Sequence, residues 1–346
     1  MPEWSLAFFV SIGVVLIITP GVIFLAEKTG AVDKPDERKV HKKPIPRIGG
    51  IGIFLAFILS MIIIGIMVNL GRQNLHEVRG LLISGTLMFL VGIIDDYKNL
   101  PAKIKLLGQI LAAAVLVIGY NVRVDFVTDP FGDYIYLEWL AIPATIFWLV
   151  GLTNTVNLID GLDGLAAGVC GLAASTIFLV ALEQNFFVIT ILTAAIAGAA
   201  FGFLFYNTNP ARIFMGDSGS LFLGYMLAGI SIIGAMKSAA TIALVVPILA
   251  LGIPILDTTF AIIRRYLGGQ PIFKPDKGHL HHRLLRLGFT QRQAVFLMYV
   301  ISAMLGLSAI ALTEVNGKIA ILILIAVVIS IFYGAKKLGV LNLAKR

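Results

Sequence analysis

The chain has 346 residues, 58% of them hydrophobic and only 13% charged, and a formal net charge of +8. Soluble domains carry roughly 25% charged residues, so a water-exposed surface for a chain of this length is excluded and the composition specifies a membrane protein. The positive excess is therefore read by its position along the chain, and no nucleic-acid partner is expected. The single cysteine, Cys170, lies in an apolar run, which excludes an intrachain disulfide and marks a small core residue.

A membrane span needs about 20 apolar residues. Apolar runs at 4–26, 48–70, 80–95, 106–124, 137–153, 165–182, 186–206, 220–236, 241–261, 293–312 and 318–334 are the candidates, about eleven in all by that length criterion. The first lacks a basic flank and a small-residue cleavage site, so it reads as a span and not as a signal peptide. Only Glu183, Gln184 and Asn185 separate the sixth and seventh, which demands a tight turn there. The stretch 125–136, DFVTDPFGDYIY, reads as a small hairpin. With the N-terminus outside, 22 of the 27 Lys and Arg fall in inner segments and 5 in outer ones, as the positive-inside rule requires. The expected architecture is all-α: one polytopic membrane domain, residues 1–346, with its C-terminus in the cytoplasm.

Five polar segments fall on the inner side of that topology. In the first, HKKPIPRIGG (41–50), Lys43 and Arg47 accompany two prolines that stiffen the loop and two glycines that permit close backbone approach. Such a loop can hold a phosphate, although an ordinary cationic flank has the same composition. The second is Asp95-Asp96, at the end of the third span. Adjacent carboxylates at a membrane boundary suit Mg²⁺, or raise one another's pKa so that one acts as a base. The third, NTVNLIDGLDG (154–164), offers Asn154, Asn157, Asp160 and Asp163 without any Lys or Arg. Its two glycines favour a loop or a broken helix lining a watery cavity. The fourth, NTNPARIFMGDSGS (207–220), places Asp217 between glycines at a helix start, with Ser218 and Ser220 as candidate caps and Phe214 as a surface on which a base can stack.

The fifth segment runs from Arg264 to Arg292 and centres on His279, His281, His282 and Arg283. Those histidines suit phosphate when cationic, proton transfer, or zinc. With no cysteine nearby, phosphate is favoured over zinc. Asp257, inside the ninth span, is a buried carboxylate that pairs with Arg264 or braces the bundle. Carboxylates, amides and cations at one face of a lipid-embedded bundle suit phosphoryl transfer between a lipid and a cytosolic, nucleotide-linked donor.

Taken together, HKKPIPRIGG, GIIDDYKNLPAKIKLLGQ, NTVNLIDGLDGLAAG, NTNPARIFMGDSGSLFLG and HLHHRLL resemble, in order, the motifs of the polyprenyl-phosphate N-acetylhexosamine-1-phosphate transferases, a glycosyltransferase-4-like family. The first loop and the histidine block are similar to its WecA/TagO branch. That resemblance implies transfer of GlcNAc-1-phosphate from UDP-GlcNAc to undecaprenyl phosphate at the cytoplasmic face of a bacterial inner membrane. The products are the lipid pyrophosphate sugar and UMP, the first membrane step toward an envelope polymer such as teichoic acid or O-antigen. It implies Mg²⁺, with Mn²⁺ as a substitute, held by Asp217 with Asn157. It implies Asp95 as the residue that deprotonates or positions the lipid phosphate, supported by Asp96, with Asp160 and Asp163 near the metal or sugar. Lys43, Arg47, His281, His282 and Arg283 would hold phosphates, with Asn154 and His279 as further contacts, and Asn209 and Phe214 would meet uridine. The lipid phosphate would attack directly, in preference to a route through a covalent aspartate, and a homodimer is the implied assembly. A proton-coupled transporter would place its carboxylates near the midplane with routes to both faces, and a CDP-alcohol phosphotransferase needs two further closely spaced aspartates that this chain lacks.

Overall fold

The computed structural model describes residues 1–33, 44–67, 72–128, 133–237, 242–269, 278–315 and 317–337. Thirteen helices follow one another: α1 (Glu3–Thr29), α2 (Gly50–Met67), α3 (Arg72–Lys98), α4 (Ala102–Ala114), α5 (Ala141–Ile159), α6 (Leu165–Glu183), α7 (Phe187–Asn207), α8 (Gly216–Lys237), α9 (Ile242–Ala250), α10 (Gly252–Leu267), α11 (Leu280–Arg286), α12 (Gln291–Glu314) and α13 (Gly317–Lys337). Two short antiparallel pairs, β1 (Val32–Asp33) with β2 (Ile45–Pro46) and β3 (Phe126–Thr128) with β4 (Tyr134–Tyr136), a π-helical turn at Val115–Gly119 and a 3-10 turn at Glu138–Leu140 complete the described elements. The second pair is the hairpin expected from 125–136.

Nine described helical segments are long and apolar enough to cross a membrane, and the protein is a multi-pass, all-α membrane protein. Two of the eleven expected spans take another form. The run 241–261 is the pair α9 and α10, interrupted at Leu251. Pro254, in the first turn of α10, has no N–H to bond Ala250, and its ring excludes a continuous helix there. The last run is the helix α13, whose apolar part, Lys318–Gly334, is shorter than the others.

Lipid provides little hydrophobic drive between helices, so close contacts are made where side chains are small. Helix α7 carries Ala194, Ala195, Ala197, Gly198, Ala199 and Ala200, nearly all fully buried, and packs along α1 and α6. A Cβ on Gly198 would strike the backbone of Phe8. Large apolar side chains such as Phe9, Ile17, Ile66, Phe147 and Leu322 point outward, the arrangement a lipid-facing surface requires.

Three helices meet beneath the polar end of the bundle. Gly50 of α2 and Gly92 of α3 both abut the backbone at Ser218 of α8, so closely that a Cβ on either would overlap main-chain atoms. We expect Gly92→Ala to cost about 1–3 kcal/mol by overpacking and to lower the melting temperature in detergent. Gly65→Ala, on a helix face with nothing within 4 Å, should leave it unchanged or slightly higher. Equal melting of the two variants would contradict this packing.

Candidate active site

The C-terminal ends of α1, α3, α5 and α7, the N-terminal ends of α8 and α12, and α11 converge on one basin of about 860 Å³. It is lined by six carboxylates, Glu27, Asp33, Asp96, Asp160, Asp163 and Asp217, against two arginines, Arg47 and Arg212. The side chains expected on one face of the membrane therefore meet at one end of the bundle.

Against the lining residues Asn157 and Asp217, Lys105 of α4 ties three elements together. Its Nζ lies 2.9 Å from Asp95 Oδ2 and 2.8 Å from Asp217 Oδ2, and donates to Asn157 Oδ1 at 3.3 Å. Asn157 in turn donates from Nδ2 to Asp217 Oδ1 at 2.5 Å and to Ser220 Oγ at 2.8 Å. Asn157 reaches this position because α5 runs on to Ile159. The expected loop at 154–164 is thus a helix through its first six residues, and only the turn from Asp160 to Gly164 is irregular. Asp160 and Asp163 accordingly do not share a helix face.

The start of α8 is capped from another helix. Asp96 accepts the Asp217 N–H at Oδ1 (2.8 Å) and the Ser218 N–H at Oδ2 (3.0 Å), which satisfies two donors that a helix N-terminus leaves open. The expected caps, Ser218 and Ser220, do not serve. Ser218 Oγ is buried without a partner, and Ser220 donates back to the Gly216 carbonyl. Gly216 has φ +71°, and a Cβ there would collide with the Arg47 carbonyl and the Asp96 carboxylate, so glycine is required on two counts.

Arg47 is committed elsewhere than to the open basin. Its Nε donates to the Asp96 carbonyl at 2.7 Å and its Nη2 to the carbonyls of Asp96 and Asp95 and to Asn99 Oδ1, which closes the C-terminal end of α3. The backbone around it joins the Asp217 segment through Phe214 N to Pro46 O (2.7 Å) and Gly49 N to Phe214 O (3.0 Å). Lys43 lies outside the described residues.

Asp163 and Asn209 form a brace. Asp163 Oδ2 accepts from Asn209 Nδ2 (2.9 Å) and from the Ala211 N–H (3.0 Å), and Asn209 also donates to Gln291 Oε1 on α12. Asn154 pairs amide to amide with Gln109 and does not line the basin. Phe214 does line it.

The histidines divide. His279 Nδ1 is 2.9 Å from Asp257 Oδ2, and Asp257 Oδ1 accepts the Leu280 N–H, so this carboxylate anchors α11 and is not the partner of Arg264 that the sequence suggested. His281 is buried against Gly161 with its Nδ1 unpartnered, and burial with the neighbouring His282 pushes its pKa down to about 4. It is a neutral ring near pH 7. His282 faces the basin, and Arg283 donates from Nε to the Gly278 carbonyl.

Lys105, Gln109, Arg212 and Gln291 are the site residues that sequence reasoning did not single out. In the sequence Lys105 fell among the cations of an inner segment just before the run at 106–124; the structure puts it in the first turn of α4, where it has to find a carboxylate or reach water.

Asp160 is half-buried at the basin wall, and its carboxylate makes no hydrogen bond among the described residues. Burial, and then the negative charges of Asp217, Asp96 and Asp163, push its pKa up to about 8. The folded state thus holds this proton more tightly than an unfolded chain with a pKa of about 3.9, so stability from this group falls as pH rises from about 4 through 8. We expect Asp160→Asn to flatten the decline in melting temperature of the substrate-free protein between about pH 6 and pH 9. Parallel profiles for variant and wild type would contradict it.

The family model described as Glycosyl transferase family 4 matches residues 78–235. The chain is 42% identical over 337 residues to a probable undecaprenyl-phosphate N-acetylglucosaminyl 1-phosphate transferase of Bacillus subtilis, covering 97% of this chain and 92% of that one. It belongs to this family. A decaprenyl-phosphate N-acetylglucosaminephosphotransferase of Mycobacterium tuberculosis is 36% identical over 82% of this chain and 76% of its own. A phospho-N-acetylmuramoyl-pentapeptide-transferase of Shouchella clausii is 32% identical over 87% of this chain and 95% of its own. The family match runs from within α3 to the end of α8 and so contains Asp95, Asp96, Lys105, Asn157 and Asp217.

Proposed function

We propose that the protein transfers GlcNAc-1-phosphate from UDP-GlcNAc to undecaprenyl phosphate at the cytoplasmic face of the membrane, releasing UMP. The observation that carries this reading is the convergence of Asp95, Lys105, Asn157 and Asp217, the last two of which line a basin at one end of a membrane bundle. It is supported by the greater identity to the N-acetylglucosaminyl relatives than to the muramoyl-pentapeptide one.

In the reaction, an oxygen of the lipid phosphate attacks the β-phosphorus of UDP-GlcNAc, and the bond from that phosphorus to the oxygen bridging it to the α-phosphorus breaks. Asp95 orients the lipid phosphate or takes its proton. Its carboxylate is already aimed by Lys105, and its Oδ1 accepts the Leu100 N–H at 2.6 Å. Asp96, Ser220 and Asn157 hold the start of α8 and the Asp217 carboxylate in place. Phe214 offers a face for uracil.

Mg²⁺ fits the donors present. Among the described residues no three His, Cys, Asp or Glu form a cage, but Mg²⁺ characteristically takes one or two carboxylates and fills its remaining positions with water and substrate phosphate. Asp217, with the amide oxygen of Asn157, would hold it, and it would supply charge neutralisation for the diphosphate. The amide oxygen of Asn157 and a carboxylate oxygen of Asp217 both accept from the Lys105 ammonium, which supports the reading of these oxygens as donors to a cation.

The test is UMP release by the purified protein given undecaprenyl phosphate, UDP-GlcNAc and Mg²⁺. We expect lipid-dependent release that EDTA abolishes, and a fall of at least about 100-fold for Asp217→Ala. Release with another UDP-sugar alone would change the donor and keep the chemistry. Full activity of Asp217→Ala would sink the assignment of the metal.

A further inference from the structure

The basin has an electrostatic problem. It is lined with six carboxylates, yet under the proposed reading it must admit a nucleotide sugar that carries a diphosphate. Cations are needed, and most of those described are already engaged. Lys105 is shared between Asp95 and Asp217. Arg47 is bound to the carbonyls that end α3. Arg283 donates to Gly278.

Arg212 differs. It lines the basin, is exposed, and its guanidinium makes no hydrogen bond or ion pair among the described residues. Its main chain, by contrast, is fixed. The Arg212 N–H donates to the Tyr206 carbonyl at 2.8 Å. On one side Ala211 N–H is held by Asp163 at 3.0 Å, and on the other the Ile213 carbonyl accepts from Asn207 Nδ2 at 2.8 Å. An open five-donor fork on an immobilised base is the arrangement that binds phosphate oxygens bidentately at low ordering cost. The same short segment carries Phe214, which also faces the basin, and Asp217 at its floor.

We infer that Arg212 is a binding residue for the diphosphate of the nucleotide sugar, contacting its phosphate oxygens within the basin that Arg212 lines. This rests on the reading of the donor as a UDP-sugar. The brace formed by Asp163, Asn209 and Gln291 then has a purpose beyond local folding: it fixes the backbone from which Arg212 extends. Because the lipid substrate also carries a phosphate, the two sources of that group must be separated by experiment.

Binding of UDP to the purified protein in detergent, at constant Mg²⁺, should be measured by calorimetry for wild type, Arg212→Gln and Arg212→Lys, with melting temperatures as a check on folding. Arg212 is exposed, so all three should melt alike. We expect Arg212→Gln to weaken UDP about 10- to 100-fold, the range for loss of a charge-assisted pair. Arg212→Lys should recover part of that, and the glutamine variant should show a shallower dependence of affinity on NaCl. Affinity for undecaprenyl phosphate, titrated into the same detergent-purified proteins, should be unchanged. Equal UDP affinity in wild type and Arg212→Gln would overturn the inference, as would a loss confined to the lipid phosphate. Wild-type UMP release is measured in parallel: if it is absent while UDP binding depends on Arg212, the transferase reading fails and the diphosphate contact stands. If wild type releases UMP and Arg212→Gln matches it in KM for UDP-GlcNAc, the reading stands and the contact fails.

Discussion

Carboxylates at the end of a lipid-embedded bundle stay ionised only if each finds a cation or a row of donors, and otherwise keep their proton, as Asp160 does. That constraint organises this protein. Asp95 and Asp217, on different helices, share the ammonium of Lys105 at 2.9 and 2.8 Å, while Asp96 is spent on the N–H groups that open α8. Desolvation makes an unpaired charge costly, so these contacts reward one arrangement of helix ends and penalise the others. Four helices, α3, α4, α5 and α8, are registered to one another by four polar side chains.

The apolar part of the chain makes that registration possible. Gly50 and Gly92 let α2 and α3 approach the backbone of α8 at Ser218, one residue beyond the acidic side chain that Lys105 binds. Gly216 leaves room for the Arg47 carbonyl and the Asp96 carboxylate at the turn into α8. Packing and electrostatics therefore act on the same few residues, and the basin beside them keeps Asp160 and Arg212 open to a ligand.

Much of this architecture was legible before the structure. Composition set the class, apolar run length located the helices, and the distribution of Lys and Arg grouped the polar segments that the fold brings together. Motif resemblance pointed to Asp95, Asn157 and Asp217, which do meet. Less legible was what each polar group does locally. Asp96 and Asp257 read as chemistry or as an ion pair, yet each serves as a cap for a helix that begins more than twenty residues later in the chain. Arg47 read as a phosphate ligand and closes α3, and Asn154 belongs to an amide pair with Gln109. Such long-range caps leave no trace in local spacing. The break at Leu251 was hidden for a different reason, because hydropathy averages over a proline that interrupts an otherwise apolar run.

The central claim, that Lys105 is the electrostatic tie between Asp95 and Asp217, is tested most directly by a double-mutant cycle on thermal stability in detergent. Lys105→Met and Asp217→Asn are compared singly and together. If the tie exists, Lys105→Met strands the buried Asp95 carboxylate and the half-buried Asp217 and is destabilising, and adding Asp217→Asn restores part of the loss, with a coupling of about 1–3 kcal/mol. Strictly additive effects of the two substitutions would mean that the residues do not depend on each other and would contradict the account.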